Sequence, residues 1–305
     1  MSMSLRFVVY PLFALFCLVL FSFFLFPFES LKGRIEGEIE KGMGGRFSVS
    51  VEKLSPALFT GVTLKGVAIK RRGEEKGATL DRARIKVSLL PLLWGTRRFK
   101  VGLRSGRGRV NGTLAFSSES TEMDLEIEEM DLSLGALFLP KTLPFSGAID
   151  GSMDLLLYPQ DPFRSAGKVL LDIRGLKLDE GASAAGFPIP AVTLAEKGAR
   201  PGGASPVSDS RLEIDVNRGN WEVRSFRLVG GDLVLEANGK IFAQRQAKNY
   251  RLSLKGSFEV PPGHEEKLPF LSLIESQKEQ GKYPFAITGR LTKPSIRIGT
   301  FKVPI

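Results

Sequence analysis

Enzyme and metal chemistry needs particular residues at particular spacings, and this sequence offers few of them. The 305-residue chain holds one Cys and one His. A single thiol excludes a disulfide framework and any thiolate metal cluster, since each needs at least two. A single imidazole excludes the multi-histidine zinc and iron sites and leaves any His-assisted triad one candidate base. That residue, His264, stands in Pro-Pro-Gly-His-Glu-Glu-Lys. Zinc-protease spacing needs a second His one helical turn away, so the segment reads as a solvated loop. No Ser sits in a Gly-x-Ser-x-Gly elbow. The glycines from Gly106 to Gly112 brush a dinucleotide fingerprint, but they would have to open a helix, whereas Val110, Leu114 and Phe116 continue a strand. No catalytic residue, metal ligand or cofactor site emerges, no cofactor is expected, and the chain reads as a non-enzyme.

Charge is the other chemical resource, with a formal net value of +10. Between Arg82 and Arg109 stand nine cations and no acid: Arg82, Arg84, Lys86, Arg97, Arg98, Lys100, Arg104, Arg107 and Arg109. From Glu119 to Asp131 there are seven acids and no base. In one reading these stretches are neighbouring strands whose wet faces pair opposite charges, each pair contributing a few tenths of a kcal/mol. In the other the cations form a patch for anionic lipid headgroups or a partner protein. Nucleic acid is not expected as a partner, because no aromatic platform interleaves the basic residues.

The elements that position these groups begin with an apolar run. Residues 7–28 (FVVYPLFALFCLVLFSFFLFPF) carry no charge and include Phe7, Phe13, Phe16, Leu20, Phe24 and Phe28. Roughly 20 such residues span a bilayer's hydrocarbon core. A signal peptide would have a shorter apolar region and a small-x-small cleavage site, which Phe-Pro-Phe-Glu does not supply. The run therefore reads as an uncleaved single-pass transmembrane anchor following a six-residue tail, 1–6. The lone Cys17 lies inside it as a small apolar residue. Lys32, Arg34, Lys41 and Arg46 outnumber Arg6, so a literal positive-inside count places the large domain on the cytoplasmic side. Such a short tail gives that rule little to count. Residues 29–45 form an amphipathic juxtamembrane segment, with Leu31, Ile35 and Ile39 on one helical stripe. Gly33 and Gly37 weaken it as a free helix, so it needs the membrane or the following domain beside it.

Beyond Gly45 the period changes to two. Phe47-Val49-Val51, Ala83-Ile85-Val87-Leu89, Met123-Leu125-Ile127, Leu212-Ile214-Val216, Leu233-Leu235-Ala237, Tyr250-Leu252-Leu254 and Phe285-Ile287 alternate with polar residues, as half-buried strands do. Gly66 shifts the apolar parity between Val62-Leu64 and Val67-Ile69, as a bulge would. Gly230-Gly231 and Asn238-Gly239 suit two-residue hairpin turns, so 212–243 reads as a four-strand meander. Helix is scarce: residues 268–278 are the one expected soluble helix. The Pro-, Gly- and Ser-rich connection 186–210 is expected to divide a first β lobe, 46–185, from a second, 211–305. The expected fold is mainly β: one N-terminal transmembrane helix, then an elongated, curved antiparallel sheet or a β-sandwich.

Several segments together carry a resemblance. The anchor and amphipathic stretch end in Gly44-Gly45-Arg46 and lead into FSVSVEKL (47–54), LFTGVTLKGV (58–67) and ARIKVSLLPLLWG (83–95), and the chain closes on YPFAITGRLTKP (283–294). This layout resembles the type II secretion system protein N (GspN) family, and its front half is also similar to the AsmA group of envelope proteins. Both resemblances imply a Gram-negative inner-membrane protein with its N-terminus cytoplasmic and its bulk periplasmic. The first implies a non-enzymatic component supporting export of folded proteins, with other secretion-system subunits as partners. The second implies phospholipid bound or transferred along an apolar β groove. Neither supplies catalytic residues. What separates the two is whether the apolar face stays open along the sheet.

Overall fold

The computed structural model describes residues 28–57, 60–73, 77–92, 95–136, 145–178, 182–184, 187–189, 191–195, 210–246, 249–263, 271–272 and 274–303. The apolar run at 7–27, His264 and residues 268–270 and 273 lie outside them. Among the described residues no helix is long and apolar enough to cross a membrane.

The chain is mainly β and follows its sequence order closely. Strands β1 (Phe47–Pro56), β2 (Gly61–Arg71), β3 (Gly77–Ser88), β4 (Arg97–Ser105), β5 (Gly108–Phe116), β6 (Thr121–Asp131), β7 (Phe145–Leu157) and β8 (Ala166–Leu178) each pair antiparallel with the next. Two short strands, β9 (Ala182–Ala184) and β10 (Phe187–Ile189), form a separate hairpin, and β11 (Val192–Thr193) adds to β8. The main path then continues through β12 (Arg211–Asn217), β13 (Asn220–Val229), β14 (Val234–Phe242), β15 (Arg251–Glu259), β16 (Tyr283–Arg290), β17 (Lys293–Ile298) and β18 (Phe301–Val303). The result is one open antiparallel sheet of 16 strands rather than a sandwich. Its main path extends about 65 Å across the strands at the usual spacing.

β12 pairs with β8 over six residues, from Arg211↔Asp172 to Val216↔Gly167. The hydrogen bonding of the sheet therefore runs on between the strands on either side of the 186–210 connection. Composition marks a Pro-, Gly- and Ser-rich connection but is blind to the pairing of the strands on either side of it.

Local turn chemistry brings two further corrections. Asn238-Gly239 is no turn: it lies inside β14, opposite Lys255 and Leu254. The tight two-residue turn is Arg218-Gly219, both at positive φ (49° and 73°), which joins β12 to β13. Residues 212–243 thus hold three strands, not four. Gly66 has φ +58°, yet the β1–β2 register keeps one frame past it, Val51↔Val67 and Lys53↔Lys65. The parity change is shared by β1, β2 and β3, so Val51, Val67 and Leu80 and also Leu54, Leu64 and Ala83 are all buried in one cluster. A one-strand bulge would have shifted the register instead. In the expected helix 268–278, the described residues are 3₁₀ and turn rather than α-helical: Leu271 and Ser272, then Glu275–Gln277, with Leu271 and Ile274 buried.

A 3₁₀ turn, Phe28–Leu31, leads into helix α1 (Lys32–Gly42). Its apolar stripe, Leu31, Ile35, Ile39 and Met43, packs on the cluster formed by β1–β3. The β domain is thus the support that its glycines require. On its flank Glu40 accepts from the Val49 N–H at 2.9 Å and Glu36 from the Val51 N–H at 2.7 Å. Two short helices, α2 (Leu89–Leu92) and α3 (Leu132–Ala136), follow β3 and β6, and a 3₁₀ turn, Pro162–Arg164, lies between β7 and β8; Leu134 also joins the β1–β3 cluster.

Candidate functional site

Antiparallel pairing places directly opposed residues on the same face. Starting from Ile85, the registers align Val101, Gly112, Leu125, Met153, Val169 and Ile214 across β3–β8 and β12. The same row continues through Val223, Gly239, Leu254, Ile287, Ile296 and Val303 to the last strand. Backwards it reaches Val62 of β2. No polar side chain interrupts it. One row over, Ala83, Leu103, Val110, Ile127, Gly151, Leu171, Leu212 and Phe226 are likewise aligned. Alternation in each strand therefore adds up to one apolar face running the length of the sheet.

What covers this face differs along it. At the start, α1 lies over β1–β3. Towards the end, Leu271, Ile274 and Val192 pack with Phe258, Tyr283 and Ile298. In the middle, Leu155, Val169 and Val216 pack with Met123, Met153, Leu157, Leu171, Ile214 and Trp221, all of them residues of β6, β7, β8, β12 and β13 themselves. Among the described residues no second layer contributes to that cluster, yet Leu155 and Val169 are only 3% exposed.

The opposite face is charged, and here the basic candidates divide. Arg82, Arg104 and Arg109 stand directly opposite one another on β3, β4 and β5, in a row that β1 and β2 extend with Lys53 and Lys65. The row meets its first acid at Glu128 of β6. Lys86 faces Lys100, Arg84 faces Gly102, and Arg98 forms an ion pair with Glu122 at 3.7 Å. Arg97 lies by parity on the apolar side, opposite Phe116, and Arg107 occupies the β4–β5 turn. Among the described residues, Arg98 is the one member of the nine in an ion pair. The paired-strand reading thus fits the β5–β6 boundary, whereas β1–β5 carry five cations in line. Lys53 and Lys65 were not among the sequence candidates, because only register places them beside Arg82. Further along, the same face is zipped by Lys168–Glu213, Arg227–Glu236 and Lys240–Glu222 pairs at 3.0–3.3 Å.

The anchor candidates Phe7, Phe13, Phe16, Leu20 and Phe24 lie outside the described residues, and Phe28 opens the 3₁₀ turn before α1. A buried Arg174–Asp150 ion pair is structural: Asp150 also accepts from the Glu129 N–H at 2.9 Å, where β6 shifts register against β7 and Glu129 takes φ +45°. Among the described residues no group of three His, Cys, Asp or Glu side chains is placed to hold a metal ion. No family model, curated protein or solved structure matches this chain.

Proposed function

We propose that this chain is a single-pass inner-membrane protein of a Gram-negative envelope, anchored by residues 7–28, whose periplasmic sheet seats the acyl chains of phospholipid on its apolar face. The supporting observation is the unbroken apolar row from Val62 to Val303: at its middle no overlying layer contributes to the Leu155–Val169–Val216 cluster among the described residues, while Leu132, Leu194 and Ala195 cover Ile173 and Leu228 beside it. An apolar face must be covered by protein or by a ligand. Relative to water, five seated methylenes contribute about 4 kcal/mol, roughly a thousandfold in retention. Relative to a bilayer the exchange is nearly neutral, which suits reversible transfer more than storage. This is the AsmA-like reading.

The GspN-like reading, a non-enzymatic component of the type II secretion system, stands second. The terminal strand favours it: β18 pairs with β17 and closes the strand order, which leaves an edge to which another subunit could add a strand.

Mass spectrometry of the full-length protein extracted from native membranes, reading lipids and proteins in one eluate, tests both. We expect stoichiometric phospholipid, reduced several-fold by Met153→Asp or Leu254→Asp and unchanged by Thr113→Asp on the opposite face. Detergent-level lipid together with enriched secretion subunits overturns the first reading in favour of the second.

A further inference from the structure

In this meander the connections after β1, β3, β5, β7, β12, β14 and β16 share one rim, and the others share the opposite rim. Among the described residues, every exposed large apolar side chain belongs to the first rim. These are Leu89, Leu90 and Leu92 after β3, Phe116 ending β5, Phe163 before β8, Phe242 ending β14 and Leu291 between β16 and β17, all 40–72% exposed. Scattered apolar residues need no explanation, but seven sorted onto one rim do.

Charge is sorted with them. The first-rim connections with their flanking residues (56–61, 88–97, 116–121, 157–166, 217–220, 242–251, 290–293) carry eight Lys or Arg against two acids. One of those acids, Glu119, is paired with Arg164 at 3.6 Å. Exposed Leu and Phe interleaved with cations is the composition that seats protein in the headgroup–acyl boundary of an anionic bilayer.

Helix α1 supplies an independent observation. Glu40 contacts Val49 and Glu36 contacts Val51, so the helix runs antiparallel to β1. Its N-terminal end therefore points towards Pro56, the first-rim end of β1. The chain thus enters the described fold, directly after its apolar run, from the side of the apolar rim.

We infer that the first rim docks edge-on to the interface of an anionic phospholipid bilayer, so that lipid reaches the apolar face across this rim. The row next to it, with Val87, Phe99, Leu114, Met123 and Leu155 in register, runs along the rim and joins it to the apolar row of Ile85, Val101, Gly112, Leu125 and Met153 further in. The inference deepens the lipid-handling reading, resting on it for the cargo but not for the docking.

Depth-dependent quenching tests the docking. The full chain, carrying Cys17→Ser and one of Leu90→Cys, Phe163→Cys or Leu291→Cys, is labelled with an environment-sensitive fluorophore. It is then reconstituted in 3:1 phosphatidylcholine:phosphatidylglycerol vesicles containing a lipid with a spin label high on its acyl chain. Thr300→Cys on the opposite rim is the control. At least threefold stronger quenching at the three first-rim positions than at Thr300, with matching protection from aqueous iodide, is the expected result. Equal quenching on both rims overturns the inference, as does iodide protection without lipid quenching, which would mark contact with a second copy. Phospholipid that still co-purifies in either of those cases leaves the lipid-handling reading standing.

Discussion

The carboxylate of Glu36 accepts a hydrogen bond from the backbone N–H of Val51 at 2.7 Å, across the outer edge of β1. Glu40 does the same for Val49 one helical turn further on. An edge strand otherwise offers a row of open N–H groups to any passing strand. Here two acids on α1, spaced i and i+4, occupy the acceptor positions that a neighbouring strand would fill.

Removing that acceptor has a stability cost. Glu36→Ala is expected to lower unfolding stability by about 1 kcal/mol, below the usual range for a hydrogen bond to a charged group because the site is partly solvated. Urea unfolding followed by Trp fluorescence reads it, and the Glu36→Ala/Glu40→Ala pair should also self-associate in light scattering as concentration rises. A double variant as stable and as monodisperse as the parent would remove the edge-capping role.

Glu40 makes the edge sensitive to acid. Its carboxyl is held below the ordinary 4.5, first by the Val49 N–H, which outweighs the opposing effect of burial, and further by the hydrogen bond and charge of Arg72. A lowered folded value means the contribution is complete above pH 4.5 and is lost as pH falls through the lower value. The Val49 amide resonance should therefore titrate with a midpoint below 4.5, and Glu40→Gln should abolish the step. A midpoint above 4.5 contradicts the geometry.

Gly239, at φ +143° in mid-strand, is irreplaceable for a steric reason. A Cβ there would collide with the carbonyl oxygen of Ser253 on the adjacent strand. Gly239→Ala is expected to cost about 2–3 kcal/mol, whereas Asn238→Ala beside it should cost well under 1 kcal/mol. Equal denaturation midpoints for the two variants would show that the strands separate there without penalty.

The cation row trades stability for its charge. Arg104 stands between Arg82 and Arg109, and like charges directly opposed across strands repel. Arg104→Glu should raise stability by about 0.5 kcal/mol while weakening any binding of anionic partners to this face. A fall in melting temperature would show that the row is not under electrostatic tension.

Much of this was legible in the sequence. Period-two alternation identifies the strands because one face of each is wet, and the Leu31-Ile35-Ile39 stripe predicts a helix that needs a surface to lie on. What escaped depends on which strand neighbours which. Asn238-Gly239 has turn chemistry, but its Gly serves a close approach between strands, while the actual turn uses Arg218, a residue with no special preference for positive φ. Lys53 and Lys65 look like ordinary surface lysines until register sets them in line with Arg82. Glu36 and Glu40 read as the solvated side of an amphipathic helix, since nothing local reveals the strand edge beside them.

The sequential strand order has a bearing on how the molecule is made. Apart from the β8–β12 junction, each strand on the main path finds its partner within the next few dozen residues, so loop-closure entropy stays small at every step. A chain delivered N-terminus first could then zip hairpin by hairpin as it emerges, with α1 already closing the first edge, so that the growing end is the one exposed template at any moment. Insertion or loss of a hairpin would change the reach of the sheet by about 10 Å while leaving the pairing of the remaining strands intact, so length is a quantity that such a protein can vary independently of its fold.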